Sequence, residues 1–247
     1  MSNCYNTDLS GKFSWKGNNF RVEILHSRAG LAQQIWLETD QGAILVDIGD
    51  GCLRDIIAAG LDIKRLQAIL ITHGHYDHVG GLHALLGFLR MINRKSELHV
   101  IMPEKCIEPR LIIESFNNAY GSTIPYAIHI IELTGSQGFN LDKLQIESYP
   151  MVHCGSLASG EILEQIPALG YKISYQGETI AVTGDTGLTP ALDNLIADAD
   201  LAIIEATFLD SKVTDPNVTA KVHLTESVAH RLGSLAKNYV LVHKGRR

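Results

Sequence analysis

Residues 73 to 78 read His-Gly-His-Tyr-Asp-His, so three imidazoles and a carboxylate stand within six positions. Zinc takes these ligand types when no thiolate is offered. The hexapeptide follows the apolar run Ala68-Ile69-Leu70-Ile71, which reads as a buried strand. A chain leaving such a strand in a tight turn can point His73 and His75 to one side and Asp77 and His78 to the other. That arrangement suits two neighbouring metal ions better than one. The bland alternative is a solvated polar turn, which rarely concentrates three histidines.

Two metals need further ligands, and loops at strand ends on the same rim can supply them. His153 follows the strand run 144–149. Asp185 stands in Thr183-Gly184-Asp185-Thr186-Gly187, and His243 closes the strand run 239–242. Singly, each would pass for a turn former. Together they complete one set of His73, His75 and His153 and another of Asp77, His78 and His243, with Asp185 bridging. Three protein ligands per ion leave room for an activated water, as a catalytic site requires. Two zinc ions are expected, although imidazole-rich sites also accept manganese or iron(II).

Strand signals at 19–26, 32–38, 42–47 and 67–71 lead into the hexapeptide, with a helix at 52–60 between them. Beyond it, Leu82, Leu85, Leu86 and Leu89 fall at helical spacing and predict an amphipathic helix over 79–92. Gly80-Gly81 lets the chain pass close to the metals before that helix. A strand at 97–102 and a helix over 104–119 follow. Further strands are expected at 127–132, 143–149, 169–175, 178–183, 200–205 and 239–242. Thr189-Pro190 opens a helix to about 197. A helix over 225–236 turns Val228, Leu232, Leu235 and Ala236 inward. Strand runs broken by helices in both halves predict an α/β, αββα sandwich: two facing mixed sheets with helices outside.

The chain has 247 residues, 45% of them apolar, with no linker-like or low-complexity tract, so a single domain over 1–247 is expected. A net charge of −6 excludes polyanion binding through the overall field. Local basic clusters (Lys64 with Arg65, Arg94 with Lys95, Lys244 with Arg246 and Arg247) read as solvated surface. The start lacks a signal-peptide pattern and no apolar run has membrane-spanning length, so no membrane partner is expected. Cys4, Cys52, Cys106 and Cys154 are scattered and fit reduced thiols in a cytoplasm, the expected location.

With these residues on the page, the chain resembles the metallo-β-lactamase fold superfamily, in the branch around ribonuclease Z and related phosphodiesterases. The resemblance covers most of the chain, from Leu45-Val46-Asp47-Ile48-Gly49-Asp50-Gly51 to the C-terminus. It includes His-x-His-x-Asp-His, Thr-Gly-Asp-Thr at 183–186, Glu205-Ala206-Thr207-Phe208, His223-Leu224-Thr225 and Leu241-Val242-His243. It implies the seven ligands above. It also implies a pair, Glu205 and His223, that protonates the leaving oxygen, with Asp77 beside the reacting centre as well as on a metal. Glu205 lies inside an apolar run and would be costly to bury alone, which makes His223 a natural partner; a purely structural hydrogen bond is the alternative. Asp47 is expected to orient a ligating histidine. His26, His83, His99, His129 and His230 have no ligand-like company.

The chain departs from ribonuclease Z proper. Only 31 residues separate His153 from Asp185, and the piece from Cys154 to Ala168 is too short for a tRNA-binding arm. His-Leu-Thr stands where His-Ser-Thr is usual, and the ending Lys244-Gly245-Arg246-Arg247 also differs. The expectation is therefore a dinuclear zinc phosphodiesterase acting through a metal-bridging hydroxide on a cyclic or small phosphodiester, a nucleotide or an RNA 3′ end. A large structured RNA fits less well; a homodimer is compatible with the sequence. Phe116, Tyr120 and Tyr126 could wall the pocket or belong to the core. The alternatives are hydrolysis of lactones, thioesters, β-lactams or sulfate esters at the same centre, a full tRNA 3′ endonuclease, or a non-hydrolytic binding protein.

Overall fold

Along the run Ala43–Ile48, Ile44 and Val46 face one core while Ala43, Leu45 and Ile48 face another. A strand apolar on both faces must lie inside a layered structure. The alternation breaks at Asp47, whose backbone is left-handed (φ 58°), so Ile48 joins the face of Leu45. The structure, a computed structural model, describes residues 2–8, 11–157, 159, 161–213 and 215–245. Arg246 and Arg247 of the C-terminal basic cluster lie outside the described residues.

In chain order the first elements are β1 (Asn3–Tyr5), β2 (Phe13–Lys16), β3 (Arg21–Arg28), β4 (Ala32–Glu38), β5 (Ala43–Ile48), α1 (Cys52–Ala58) and β6 (Leu66–Leu70). There follow α2 (Tyr76–Val79), α3 (Leu82–Met91), β7 (Leu98–Pro103), α4 (Ile107–Tyr120) and β8 (Ile128–Leu133). The second half contains β9 (Gly138–Leu141), β10 (Leu144–Pro150), β11 (His153–Ser156), β12 (Ile162–Ile166), β13 (Leu169–Tyr175) and β14 (Glu178–Val182). It closes with α5 (Ala191–Ile196), β15 (Leu201–Glu205), α6 (Pro216–Lys221), α7 (Glu226–Gly233) and β16 (Asn238–Val242).

One seven-stranded sheet runs β2-β3-β4-β5-β6-β7-β8, and the other runs β1-β16-β15-β14-β13-β10-β9. Both are mixed: β5 to β8 are mutually parallel, as are β14, β15, β16 and β1. The inner core, with Ile24, Val46, Leu70, Tyr171, Ile180 and Val240, lies between the sheets. Helices α1, α3 and α4 cover the outer face of the first sheet, and α5 and α7 that of the second. This is the expected αββα sandwich. The four leucines of α3 (82, 85, 86, 89) are fully buried, each stabilising the outer layer by about 1.5–3 kcal/mol.

Several details differ from the sequence reading. The turn carrying Asp77 and His78 is itself a short helix, α2, and α3 starts only after Gly80-Gly81. The last helix ends at Gly233, which leaves Leu235 40% exposed rather than inward. Phe116 and Tyr126 pack in the outer core, whereas Tyr120 is 39% exposed. The piece after His153 forms the hairpin β11–β12, a separate two-stranded sheet. The short strands β1, β2, β9, β11 and β12 went unread because three to five residues, mostly part-exposed, give too little periodicity.

Candidate metal centre and active site

Parallel strands of both sheets end on one rim, the usual place for a ligand crevice in α/β sheets. The loop after β6 brings His73 and His75 there. His75 then accepts the first N–H bonds of α2, from His78 at 2.9 Å and Val79 at 3.2 Å, and α2 presents Asp77 and His78. Close approach requires glycine here: a Cβ on Gly49 would lie 2.3 Å from the Asp77 carbonyl oxygen, and one on Gly81 2.6 Å from that of Gly49. His153 opens β11, Asp185 stands beyond β14, and His243 follows β16. The set of Asp77, His78 and His243 therefore draws on both large sheets, and that of His73, His75 and His153 on the first sheet and the β11–β12 hairpin.

The seven residues converge as the sequence predicts. His73 Nε2 and His153 Nε2 each lie 3.1 Å from His75 Nδ1. His243 Nε2 is 3.2 Å from Asp77 Oδ2, and His78 Nε2 is 3.8 Å from the same oxygen. Asp185 Oδ2 stands between the sets, 3.8 Å from His73 Nε2, 4.0 Å from His153 Nε2 and 3.4 Å from His78 Nε2. Two ligands of a tetrahedral zinc are separated by about 3.3 Å, given bonds near 2.0–2.1 Å. The spacing therefore fits a metal. The donor chemistry fits as well: His78 Nε2 and Asp185 Oδ1 are buried with no hydrogen-bond partner among the described residues. Such atoms are costly unless a cation takes their lone pairs.

The two sets differ electrostatically. Burial holds the His73 imidazole well below its usual range, with His78 and His153 adding to the effect, and burial lowers His153 to about 3. Burial also lowers His75 against the pull of Asp185. Burial thus favours the neutral form of all three rings, the form a metal ion could bind. At His78 burial acts downward too, but Asp185 and Asp47 outweigh it and raise the ring well above its ordinary value. Burial disfavours the Asp77 carboxylate, yet hydrogen bonding from His243 and the charge of His78 hold it at about 2. Asp185 lies well below the carboxylate range, since His243 and His78 overcome its burial.

The rings are fixed from behind. Asp47 Oδ2 accepts from His78 Nδ1 at 2.7 Å, and the Val222 carbonyl accepts from His153 Nδ1 at 2.8 Å, which turns both Nε2 atoms inward. Asp47 also accepts from the Thr72 N–H at 2.8 Å and the Thr72 hydroxyl at 2.8 Å. Asp77 Oδ2 accepts from the Gly30 N–H at 2.8 Å. Asp47 and His243 both adopt left-handed backbone, at φ 58° and 53°, an arrangement costing about 1–3 kcal/mol each. The His243 N–H donates to Ser27 Oγ at 2.7 Å, which helps hold that strain.

Glu205 and His223 meet as expected, with Glu205 Oε1 3.0 Å from His223 Nδ1. The carboxylate is fully engaged. Oε1 also accepts from the Thr186 and Leu224 N–H groups at 3.1 Å, and Oε2 from the Thr207 N–H and hydroxyl at 3.0 Å. Burial would lower the His223 pKa, but Glu205, with Asp185 behind it, raises it above 6.5. The His223 side chain is 14% exposed and lies within 4.8 Å ligand-atom spacing of Asp185 and His243.

The other histidines stand apart from every such cluster among the described residues. His99 and His129 stack on each other, and His129 meets Glu97. Sequence reasoning missed Thr72, Thr207, the Gly30 amide and the Val222 carbonyl. The first two were legible as direct neighbours of His73 and close followers of Glu205; backbone groups leave no such signal.

A four-layer αββα sandwich with this histidine and aspartate rim defines the metallo-β-lactamase fold class. The family described as "Beta-lactamase superfamily domain" matches residues 44–243. Ribonuclease Z of Pyrococcus abyssi is 30% identical over 252 residues, covering 86% of this chain and 80% of that protein. Human tRNase Z, short form, superposes with a TM-score of 0.75 at 21% identity, over 92% of this chain and 93% of the other. The metallo-beta-lactamase fold protein YhfI from Bacillus subtilis gives a TM-score of 0.74 at 17% identity, over 94% and 88%. The chain belongs to the beta-lactamase superfamily, within the ribonuclease Z-like family of metal-dependent hydrolases.

Proposed function

We propose that the protein hydrolyses phosphodiesters at a centre of two zinc ions, with a cyclic or small phosphodiester, or a nucleotide, as substrate. His73, His75 and His153 would hold one ion, Asp77, His78 and His243 the other, and Asp185 would bridge them. When bound, such ions acidify water and neutralise charge developing on phosphoryl oxygens.

His223 Nδ1 donates to Glu205, which leaves Nε2 free to give its proton to the departing alkoxide. Glu205 keeps that ring protonated and aimed. Asp77, in reach of His243 and His78, keeps both rings in place beside the reacting phosphorus. Asp47 keeps His78 in the tautomer that presents Nε2. The observation that carries the reading is the Glu205–His223 pair on the edge of the ligand cluster, since a carboxyl-ester hydrolase has no need of a proton donor placed there. The short β11–β12 hairpin after His153 supports a small substrate over a large folded RNA. The convergence of residues from both large sheets and the β11–β12 hairpin on one cluster supports one hydrolase domain over the chain.

The test is hydrolysis of bis(p-nitrophenyl) phosphate by protein of measured zinc content, beside a lactone and a p-nitrophenyl carboxyl ester. Diester cleavage that scales with two metals per chain and collapses in His223→Ala is expected. Turnover of the lactone or carboxyl ester alone, indifferent to His223→Ala, would sink the reading.

A further inference from the structure

His73, His78, His153 and His243 each have a ring nitrogen close to a partner behind them: Thr72 Oγ1 at 3.1 Å, Asp47 Oδ2 at 2.7 Å, the Val222 carbonyl at 2.8 Å and Thr207 Oγ1 at 3.0 Å. His75 is the exception. Its Nδ1 faces His73 and His153, and its Nε2 meets no hydrogen-bond partner among the described residues. A neutral imidazole that gives one nitrogen to a metal ion carries its proton on the other, and that N–H is ordinarily taken by a carboxylate, a carbonyl or water. His75 is also the part-exposed member of its set. Beside Nε2 stands the β11–β12 hairpin. Cys154 pairs with Gln165 and Ser156 with Ile162, so Gly155 opposes two residues of β12, Leu163 and Glu164. Such a bulge re-aims side chains. A Cβ on Gly155 would lie 3.4 Å from both His75 Nε2 and Leu163 Cδ1, which is ordinary van der Waals contact. Leu163 stays 44% exposed. A free N–H and an open apolar side chain thus flank a glycine whose missing side chain leaves room between them.

From this juxtaposition we infer that His75 Nε2, Gly155 and Leu163 form a subsite for the ester group that stays on phosphorus, selective for an apolar chain carrying an acceptor oxygen, as in an ether or an acyl chain. The inference rests on the phosphodiesterase reading above and names its substrate class. Hydrolysis breaks one P–O bond as the oxygen of water bonds to phosphorus. The departing oxygen takes the His223 proton, which is restored by the proton that the water loses. The second ester bond survives, so its group needs a place of its own. His153 adjoins both rings, its centroid 4.9 Å from that of His75 and 5.2 Å from that of His223. A diester whose departing oxygen meets His223 can therefore lay its other group past His153, against His75 and the hairpin. There an ether or carbonyl oxygen accepts from Nε2 without bringing a donor of its own, and the flanking carbons pack on Leu163. A hydroxyl-rich sugar would set its donors against Leu163, which has nothing to accept them.

The test uses p-nitrophenyl phosphodiesters, which share one leaving group, with methyl, n-butyl, 2-methoxyethyl or 5′-thymidyl as the second group, in zinc-loaded protein. The kcat/KM for the 2-methoxyethyl ester should exceed that for the equally long n-butyl ester about fivefold, the equivalent of one neutral hydrogen bond, and should also exceed that for the thymidyl ester. Gly155→Ala, whose methyl stands between Nε2 and Leu163, should bring the methoxyethyl to butyl ratio to about one. Leu163→Ala should lower the butyl to methyl ratio roughly threefold, mainly through KM. A parent indifferent to the ether oxygen or preferring the thymidyl ester, or a ratio that its variant leaves in place, would overturn the inference. If none of the diesters is cleaved, the phosphodiesterase reading fails instead. Calorimetric binding of 2-methoxyethyl phosphate and n-butyl phosphate then decides the subsite on its own: a preference for the ether that Gly155→Ala abolishes supports it, and any other binding result, equal or absent binding included, rejects it.

Discussion

Two carboxylates, one near the end of a strand in each sheet, hold an imidazole through Nδ1, and they do so to different ends. Asp47 and His78 are wholly buried, and the free Nε2 of His78 faces Asp77 and Asp185 with no hydrogen-bond partner. Glu205 is as buried as Asp47, but His223 keeps 14% of its side chain open. The device is the same; what differs is whether the second nitrogen is sealed among carboxylates or open to a substrate. A sealed nitrogen can take a metal ion, and an open one can exchange a proton. Both rings are raised in pKa against their burial, so charge alone would not separate the roles. Exposure does.

His223→Ala is the largest blow to this contrast. Loss of a general acid should lower kcat on a diester by roughly 10²–10⁴-fold, with metal content per chain unchanged by elemental analysis. If metal leaves with the ring, His223 is a ligand beside Asp185 and His243, and the contrast collapses. Asp47→Ala should act in the opposite manner. Without its orienting carboxylate His78 loses its fixed tautomer, and metal affinity should drop about 10–100-fold in chelator competition. Unchanged affinity would mean that burial alone orients His78.

The contrast was only half legible in the sequence. Candidate ligands within six residues announce themselves, and the candidates His153, Asp185 and His243 follow from strand ends, because side-chain chemistry survives in the letters. Glu205 stood out as a charge in an apolar run, although the four further donors around it did not. The left-handed turns at Asp47 and His243 carry no glycine to mark them. The one-turn helix α2 is too short for a period of 3.6 to show, and Leu235 was placed inward because the pattern runs on past the point where the helix stops at Gly233. Local pattern shows what a segment can bury; the edges of sheets and the ends of helices are decided by tertiary contacts.

Glu205→Gln sharpens the contrast from the other side. The amide cannot accept at all five contacts and offers N–H to N–H on one side, so unfolding should cost about 1–3 kcal/mol less than in the parent, read from urea denaturation. Activity should also move with pH. With its pKa raised by Glu205, His223 stays protonated above the ordinary imidazole value of 6.5, and the rate falls as pH rises through that raised pKa. Removing the charge leaves burial opposed by Asp185 without Glu205, which lowers the pKa, so the falling limb of the kcat profile should shift to lower pH. A limb that stays in place would assign it to another group.

The smallest effect expected is at Thr72, whose hydroxyl lies 2.8 Å from Asp47 Oδ2 and 3.1 Å from His73 Nδ1. It couples the carboxylate behind His78 to a ligand candidate of the other set, much as the Thr207 hydroxyl, 3.0 Å from Glu205 Oε2 and 3.0 Å from His243 Nδ1, couples the carboxylate behind His223 to the second set. Thr72→Val keeps the shape and the backbone N–H bond to Asp47 and removes only the hydroxyl. Metal affinity should weaken by about three- to tenfold, the equivalent of one neutral hydrogen bond, with Thr72→Ser close to the parent. If the loss falls on one ion of the two, the hydroxyl serves a single ring. If both ions weaken together, the two sets share one support, and the buried carboxylate Asp47 governs the whole centre.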